Sequence, residues 1–355
     1  MKRELTVLYG QAPELSTSFQ TRELARHLAP WFSVRHLDLP QRGRGFQWAR
    51  FFKNYISPAL RRPTTEFLLY GNDGLADLRH WRARRILYWY DAPADWSLEK
   101  PTSFKDKLRF ENVRAADHVF AVSAVQVRVA RALRPGRENS VHYLPVGVDC
   151  DFFDPAKVNR EQARERFGFK PDDIVVGYLG YLGRWKNRFA GQALLEAALH
   201  VQNPGIRYLI IGNGPALPDW KEAIRFVRQP DRFTMAGFIK QSELPSAIAA
   251  TDICIDTLEP GFHSEARSET KLKQYMAMAR ACVATDIGEN RTDLDDGRAG
   301  VLCAPNPESL AEAISRLAVD PAERARLGQL ALERARAIYD WRELAAKFTD
   351  VVRRP

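Results

Sequence analysis

The chain has 355 residues, of which 45% are hydrophobic and 27% are charged. This length predicts two domains, and this composition excludes a disordered or collagen-like chain. No apolar run approaches the ~20 residues that span a bilayer, and the basic N-terminus lacks the long apolar segment of a signal peptide. Four cysteines without a CxxC pair do not suggest a disulfide or metal framework, so we expect a cytoplasmic protein without a bound metal.

The charge is distributed unevenly along the chain. Residues 1–150 contain 24 Lys and Arg against 15 Asp and Glu, whereas residues 151–355 contain 29 of each. The net charge of +9 therefore lies entirely in the first half. This asymmetry favours an anionic partner for that half, such as a membrane surface, a lipid phosphate or a nucleic acid. A basic face that only contacts solvent is the alternative.

Apolar runs alternate with helical patterns through the first half of the chain. Strands are predicted at 4–9, 34–39, 66–70, 85–90, 118–122 and 141–144, with helices notably at 19–29, 104–117 and 123–134. This alternation predicts βαβ units and a mainly parallel sheet. The stretch "PVGVDCDFFDPAK" (145–157) breaks the pattern with two prolines, a glycine and three aspartates, so we place the domain linker there.

The alternation then resumes and predicts a second open α/β sheet. Its strands are expected at 174–180, 207–212, 233–237, 253–257, 281–285 and near 300–303, with helices at 190–200, 218–228, 242–250, 270–279, 308–318 and 321–338. A last amphipathic helix begins near Trp341. Two such domains leave a cleft between them, and ligands of open α/β sheets bind beyond the carboxyl ends of the strands.

Several motifs of the second half stand in an order and at spacings typical of one known family. They are "YLPVGVDCDFFDP", "VVGYLGYLGRWK", "YLIIGNGP", "KLKQYMAMARACVATD", "DGRAGVLCAP" and "IYDWRELAAKF". Together they resemble the GT4 glycosyltransferases over roughly residues 140–350. The resemblance implies an α/β protein of the GT-B fold, with two doubly wound, Rossmann-like domains facing a central cleft. The domains would be an acceptor-binding domain at 1–150, a donor-binding domain at 151–338 and a C-terminal helix, 339–355, packed back on the first domain.

The same resemblance implies a hexosyltransferase activity. A sugar would pass from a UDP- or GDP-linked donor, used as a co-substrate, to a polysaccharide, a lipid-linked or another glycan acceptor. Relatives act with retention of configuration and without a metal ion or cofactor, and no nucleic acid partner is expected. A non-catalytic nucleotide-sugar-binding protein of the same fold is the alternative. A dinucleotide-binding oxidoreductase is disfavoured because "LYGQAPEL" lacks G-x-G-x-x-G after the first strand.

The stretch "SETKLKQYMA" (268–277) opens the helix that carries most of the predicted donor site. Ser268 or Thr270 can cap it with a hydroxyl group. Its first-turn N–H groups, at residues 269–272 and so including Thr270, Lys271 and Leu272, together with the Lys271 ammonium, predict a site for the donor diphosphate. A capped helix that faces only solvent is the alternative.

The helix departs from the family at a pair of glutamates eight residues apart. Gln274 stands where the second glutamate contacts the ribose, and its amide can still bond a diol. Eight residues earlier the chain has Ala266 in place of the first glutamate, which faces the donor sugar in relatives. Either Glu265 or Glu269 could substitute for it, and we take Glu269 as the candidate catalytic carboxylate.

Three further loops follow predicted strands of the second half. Arg184 and Lys186 would neutralise the phosphate charge of the departing nucleotide, unless they are ordinary loop cations. Gly212 belongs to the G-x-G-P turn. Phe238 and Ile239 stand where relatives contact the base through the backbone.

Two features of the first half suggest an acceptor site. Asp91 and Asp95 in "YWYDAPADW" follow a strand and resemble the Y-D-x-x-D-D segment of some polysaccharide glycosyltransferases. A carboxylate there can act as the general base on a hydroxyl group, and Asp91 in that role would make the enzyme inverting. Residues 42–63 mix six cations with aromatic side chains, which predicts peripheral contact with an anionic membrane at the inner face of the cell membrane. A stacking surface for single-stranded nucleic acid and an ordinary packed amphipathic helix are the alternatives.

Overall fold

The structure is a computed structural model that describes residues 2–9, 16–38, 65–71, 83–90, 104–185, 188–227 and 229–354. Asp91, Asp95, Lys186 and the segment 42–63 lie outside these residues. Within the described part of the chain, no helix combines the length and the apolar character that crossing a membrane requires.

Fourteen strands and thirteen α-helices are found in the described residues. The strands are Arg3–Tyr9 (β1), Phe32–Asp38 (β2), Thr65–Tyr70 (β3), Arg84–Trp89 (β4), His118–Ala121 (β5), Val141–Tyr143 (β6), Ile174–Leu179 (β7), Arg184–Trp185 (β8), Arg188–Phe189 (β9), Ile206–Ile211 (β10), Phe233–Gly237 (β11), Ile253–Asp256 (β12), Ala281–Thr285 (β13) and Val301–Cys303 (β14). The helices are Ser16–Leu28 (α1), Phe104–Ala115 (α2), Ala124–Ala132 (α3), Arg160–Arg166 (α4), Gln192–His200 (α5), Leu217–Phe226 (α6), Leu244–Ala249 (α7), Phe262–Glu265 (α8), Thr270–Ala277 (α9), Asn290–Asp293 (α10), Pro307–Ala318 (α11), Pro321–Arg334 (α12) and Trp341–Val352 (α13).

The chain divides into two compact units. The first comprises Met1–Gly147, Gly261–Ser268 and Trp341–Pro355, and the second comprises Val148–Pro260 and Glu269–Asp340. The last helix, α13, therefore belongs to the first unit.

The first unit is built on a parallel six-stranded sheet with the order β2-β1-β3-β4-β5-β6. Its strands are apolar on both faces, which is typical of parallel sheets covered by helices on either side. Leu68 and Leu69 are neighbours on β3 and belong to the two different cores on the two faces. The core that contains Leu69 also takes Trp341 and Phe348 from α13.

The second unit contains a parallel six-stranded sheet with the order β11-β10-β7-β12-β13-β14. The order runs outward in both directions from the adjacent strands β7 and β12, as in doubly wound folds. One face is covered by a core that includes Leu272 and Met276 of α9, and the other by a core that includes Leu194 of α5 and Ile314 of α11. The predicted α/β class with two parallel sheets is confirmed.

One crossing of the chain between the units was not predicted from the sequence. Residues 261–268 belong to the first unit, although they precede α9 of the second unit directly. Phe262 packs against the core of the first unit, and the hydroxyl oxygen of Ser268 accepts a hydrogen bond of 3.3 Å from the Val146 amide. The segment that leads directly into α9 thus belongs to the first unit, whereas α9 itself belongs to the second.

Candidate functional site

The carboxyl ends of β7, β10, β11 and β12 lie at one edge of the second sheet, because these strands are parallel neighbours. Gly180, Gly212 and Phe238 follow three of these strands directly, and Asp256 ends the fourth. This is the edge at which open α/β sheets bind their ligands. It is also the edge that carries the residues predicted for the donor.

A close approach of three backbone segments fixes the glycine at 212. Gly212 has a φ of 150°, which side-chain-bearing residues rarely adopt, and a Cβ atom there would overlap the carbonyl oxygen of Gly180. Its amide donates a hydrogen bond of 2.8 Å to the Gly237 carbonyl. The turn at Gly212 therefore lies between the ends of β7 and β11, and Phe238 is the residue that follows β11.

With Ser268 as the N-cap residue, α9 would begin at residue 269. It begins instead at Thr270. Glu269 is the N-cap residue, with extended backbone angles, and its side chain makes no capping hydrogen bond. The suggested cap by Ser268 or Thr270 is wrong, because the Ser268 hydroxyl is bonded to Val146 and Thr270 is the first helical residue. The first N–H groups of an α-helix have no acceptor within the helix, so those of residues 270–272 point beyond its start.

Packing holds α9 in place along almost its whole length. All residues from Leu272 to Ala277 are buried, and the Tyr275 hydroxyl oxygen accepts a hydrogen bond of 2.7 Å from the Leu179 amide at the end of β7. The helix ends at Ala277 rather than at the expected 279, because Ala279 adopts a left-handed conformation with a φ of 53°. The start of the helix is thereby fixed relative to the edge of the sheet.

The Lys271 ammonium lies in a largely buried cluster of acidic and aromatic side chains. Its Nζ is 2.9 Å from Oδ1 of Asp256 and 3.8 Å from Oε2 of Glu269, and it stands 5.0 Å from the centre of the Tyr178 ring. Burial alone would lower the pKa of Lys271, but Asp256, with Tyr178 and Glu269, raises that pKa above its ordinary value. Lys271 therefore remains charged despite its burial.

The other described cations of this edge also contact carboxylates. The Arg184 Nε donates a hydrogen bond of 2.9 Å to Asp219, and Nη2 of Arg188 lies 3.2 Å from Glu196 and 3.4 Å from Glu259. These pairs are exposed, and such pairs contribute only about 0–1 kcal/mol each. These pairs can thus open at small cost, whereas the Lys271–Asp256 pair is largely buried.

The remaining predicted residues differ widely in accessibility. Phe238 is 75% exposed, whereas Ile239 behind it is buried. Gln274 is buried on α9, four residues after Thr270. Leu272 has no exposed surface, so its side chain is not available to a ligand.

Asp256 was not identified from the sequence. It closes the apolar strand "ICID" at the carboxyl edge of the sheet, and a carboxylate at that position is the signal that could have found it. Its partner lies fifteen positions further along the chain, across the segment that belongs to the first unit, so spacing alone does not connect the two residues. Among the described residues, no group of three or more His, Cys, Asp or Glu is arranged to hold a metal ion.

Comparison with known proteins agrees with this architecture. Residues 175–320 match the family model described as glycosyl transferases group 1. The alpha-D-kanosaminyltransferase of Streptomyces kanamyceticus is 29% identical over 53% of this chain and 48% of its own length. A GDP-mannose-dependent alpha-(1-6)-phosphatidylinositol monomannoside mannosyltransferase of Mycobacterium tuberculosis is 26% identical over 66% of this chain and 60% of its own length. The chain thus spans about half the length of the curated relatives it matches.

The fold is similar to solved structures over its whole length. The crystal structure of Anabaena Alr3699/HepE in complex with UDP superimposes with a TM-score of 0.75, covering 99% of each chain at 15% identity. The two parallel sheets and this likeness show that the chain has the GT-B fold. The match of residues 175–320 to the glycosyl transferases group 1 model agrees with the GT4 resemblance of the motifs.

Proposed function

We propose that this chain transfers a sugar from a UDP- or GDP-linked donor to a hydroxyl acceptor, and that the diphosphate of the donor binds at the first turn of α9. The observation that carries the proposal is the start of α9 at the carboxyl edge of the sheet. There the N-cap side chain makes no capping hydrogen bond, and the charged Lys271 lies on the first turn. Helix N-termini are favourable sites for phosphate groups.

The neighbouring residues fit the other parts of a nucleotide sugar. The Gln274 carboxamide has a donor and an acceptor for the ribose hydroxyls. The backbone at Phe238 and Ile239 suits the base, and Glu269 is the carboxylate nearest to the start of the helix. Arg184 and Lys186 would balance the charge of the leaving diphosphate, because electrostatic groups that face developing charge lower the barrier.

The choice of base follows the relatives only in part. HepE binds UDP in its crystal structure, and the mycobacterial relative is GDP-mannose-dependent by name. Both nucleotides are therefore included in the test below. We propose retention of configuration and a reaction without a metal ion, as the family resemblance implies.

The acceptor is proposed to be a glycan or a lipid-linked sugar that binds at the first domain. The phosphatidylinositol mannoside in the name of the mycobacterial relative supports a lipid-linked acceptor. Asp91 and Asp95 are proposed at the acceptor hydroxyl, and residues 42–63 at an anionic membrane. The proposed domain limits remain 1–150, 151–338 and 339–355.

Calorimetric titration with UDP and with GDP tests the donor half of this proposal. We expect one of them to bind with a Kd in the micromolar range, and the matching sugar nucleotides to be hydrolysed or transferred. Binding without turnover on any sugar nucleotide would favour the non-catalytic alternative. Absence of binding by both nucleotides would contradict the proposed function.

A further inference from the structure

Resting on the proposed function, we propose that Asp256 is a positioning residue that holds the Lys271 ammonium in place for the donor diphosphate. Asp256 is the last residue of β12 and has no exposed side-chain surface, and its Oδ1 is 2.9 Å from Nζ of Lys271. Lys271 is the second residue of α9. The contact therefore joins the edge of the sheet to the helix start at which the diphosphate would bind.

The chemistry of lysine allows both contacts at once. An ammonium group has three N–H donors, so an ion pair with one carboxylate oxygen of Asp256 does not engage all of them. Glu269, at 3.8 Å, is too distant for a normal hydrogen bond. A phosphate oxygen can accept from a remaining N–H without breaking the Lys271–Asp256 pair. Without the contact to Asp256, the Lys271 ammonium could occupy several positions, because the lysine side chain has several rotatable bonds.

A second buried lysine of the same helix shows what a purely structural pair looks like. Lys273 and Asp293 both have completely buried side chains, so no ligand can reach that ammonium. In the Lys271–Asp256 pair the carboxylate is also completely buried, but the lysine side chain keeps 13% of its surface exposed. The Asp256 end of this pair is thus fully buried, whereas the Lys271 side chain is partly exposed.

The charge state of Lys271 depends on this anchor. Without the Asp256 carboxylate, burial disfavours the ammonium form. The titratable groups that face the Lys271–Asp256 pair are Glu269 at the start of α9, Tyr178 on β7, Tyr275 on α9 and Cys282 on β13. Glu269 remains as a partner at longer range, so we expect the variant Asp256→Asn to lose donor affinity progressively as the pH rises.

The test compares three variants by titration with UDP or GDP, whichever binds the unmodified protein, at pH 7.0 and 8.5. The variants are Asp256→Asn, Lys271→Met and the double variant. For Asp256→Asn we expect the Kd relative to the unmodified protein to rise at least threefold between the two pH values. For Lys271→Met we expect a loss of at least tenfold that does not change with pH. The double variant should bind no more weakly than Lys271→Met.

The outcomes separate this inference from the proposed function. If Lys271→Met binds as tightly as the unmodified protein, the phosphate site of the proposed function is wrong. If Lys271→Met is weak but Asp256→Asn matches the unmodified protein at both pH values, the role of Asp256 is overturned while the proposed function stands.

A measurement on the unmodified protein guards against a variant that fails to fold. The Lys271 side-chain signal in ¹³C-lysine NMR, assigned with Lys271→Arg, should titrate above the ordinary range of a lysine and should shift when pyrophosphate is added. A signal that titrates like an exposed lysine and ignores pyrophosphate overturns the inference.

Discussion

Lys273 and Asp293 form an ion pair whose two side chains have no exposed surface. The pair joins α9 to α10, and the Lys273 ammonium also lies 5.3 Å from the centre of the Tyr339 ring. Arg334 donates a hydrogen bond of 2.9 Å to the Asp293 carbonyl oxygen from the end of α12. The helix that carries the proposed donor site is thus fixed by a buried ion pair in addition to the Lys271–Asp256 contact.

Replacing Lys273 by Met should destabilise the second unit strongly. The change leaves the Asp293 carboxylate buried without its ammonium partner, and breaking a buried pair on one side costs about 3–5 kcal/mol. Urea unfolding measures the difference. The double variant Lys273→Met/Asp293→Leu removes both charges and should recover most of the stability. A single variant as stable as the unmodified protein would contradict this account of the pair.

Gly212→Ala should disrupt the turn at the end of β10. The added Cβ would overlap the Gly180 carbonyl oxygen at a φ of 150°, so we expect a loss of at least about 2 kcal/mol in the free energy of unfolding. Gly136→Ala is the matched control, since Gly136 also has a positive φ but a Cβ added there would meet no atom within 4 Å. Equal losses for the two variants would show that backbone strain alone, without the close approach, explains the effect.

The first unit should lose stability in mild acid because of a histidine pair. Nδ1 of His118 lies 3.3 Å from Nε2 of His142. Burial and the His118 ring, together with nearby Arg131 and Arg354, lower the pKa of His142 to about 4, and burial also lowers the pKa of His118.

The direction in which stability changes with pH follows from the linkage between protonation and folding. The unfolded chain binds protons at these histidines below about pH 6.5, whereas the folded chain resists them until about pH 4 for His142. The stability that depends on the neutral rings is therefore present above pH 6.5 and lost as the pH falls toward 4. Since both rings are only half-buried, we expect His142 to account for a loss on the order of 1 kcal/mol.

Thermal unfolding between pH 7.5 and 4.5 checks this expectation. His142→Phe should flatten the acid dependence, because a phenyl ring can keep the packing against Phe120, whose ring centre is 5.1 Å from that of His142. His200→Gln is the control, since His200 is exposed on α5. An unchanged acid dependence in His142→Phe would remove the histidine pair from the explanation.

Gln274→Leu should weaken binding of the nucleotide but not of pyrophosphate. The change keeps the buried position filled while it removes the groups proposed for the ribose hydroxyls. We expect at least a fivefold rise in the Kd for UDP or GDP, equivalent to about 1 kcal/mol, with an unchanged Kd for pyrophosphate. Calorimetry measures both, and a parallel loss for the two ligands would show that the substitution disturbs α9 instead.

The strand and helix pattern of the sequence predicted both sheets because parallel strands are short, apolar runs bounded by turns. It did not reveal how the chain enters α9. Ser268 has the side chain of a good N-cap, but its hydroxyl is engaged by Val146 of the first unit, and that contact joins residues more than a hundred positions apart. Local spacing carries no information about such a pair.

The charged residues of the site show the same difference between what local sequence reveals and what depends on tertiary contacts. The sequence identified Lys271 because a cation on the first turn of a helix stands out locally. Asp256 and the burial of Lys273 depend on tertiary packing, since a carboxylate at a strand end and a lysine in a helix are ordinarily exposed. The cation at Arg184 was identified, but its carboxylate partner Asp219 comes from α6.

The central claim is that the donor diphosphate binds at the start of α9. A crystal structure of the protein with UDP or GDP tests this claim most directly. We predict phosphate oxygens within about 3 Å of the amides of residues 270–272 and of the Lys271 ammonium, with that ammonium still in contact with Asp256. Phosphates bound elsewhere, with the first turn of α9 left without a ligand, would contradict the account.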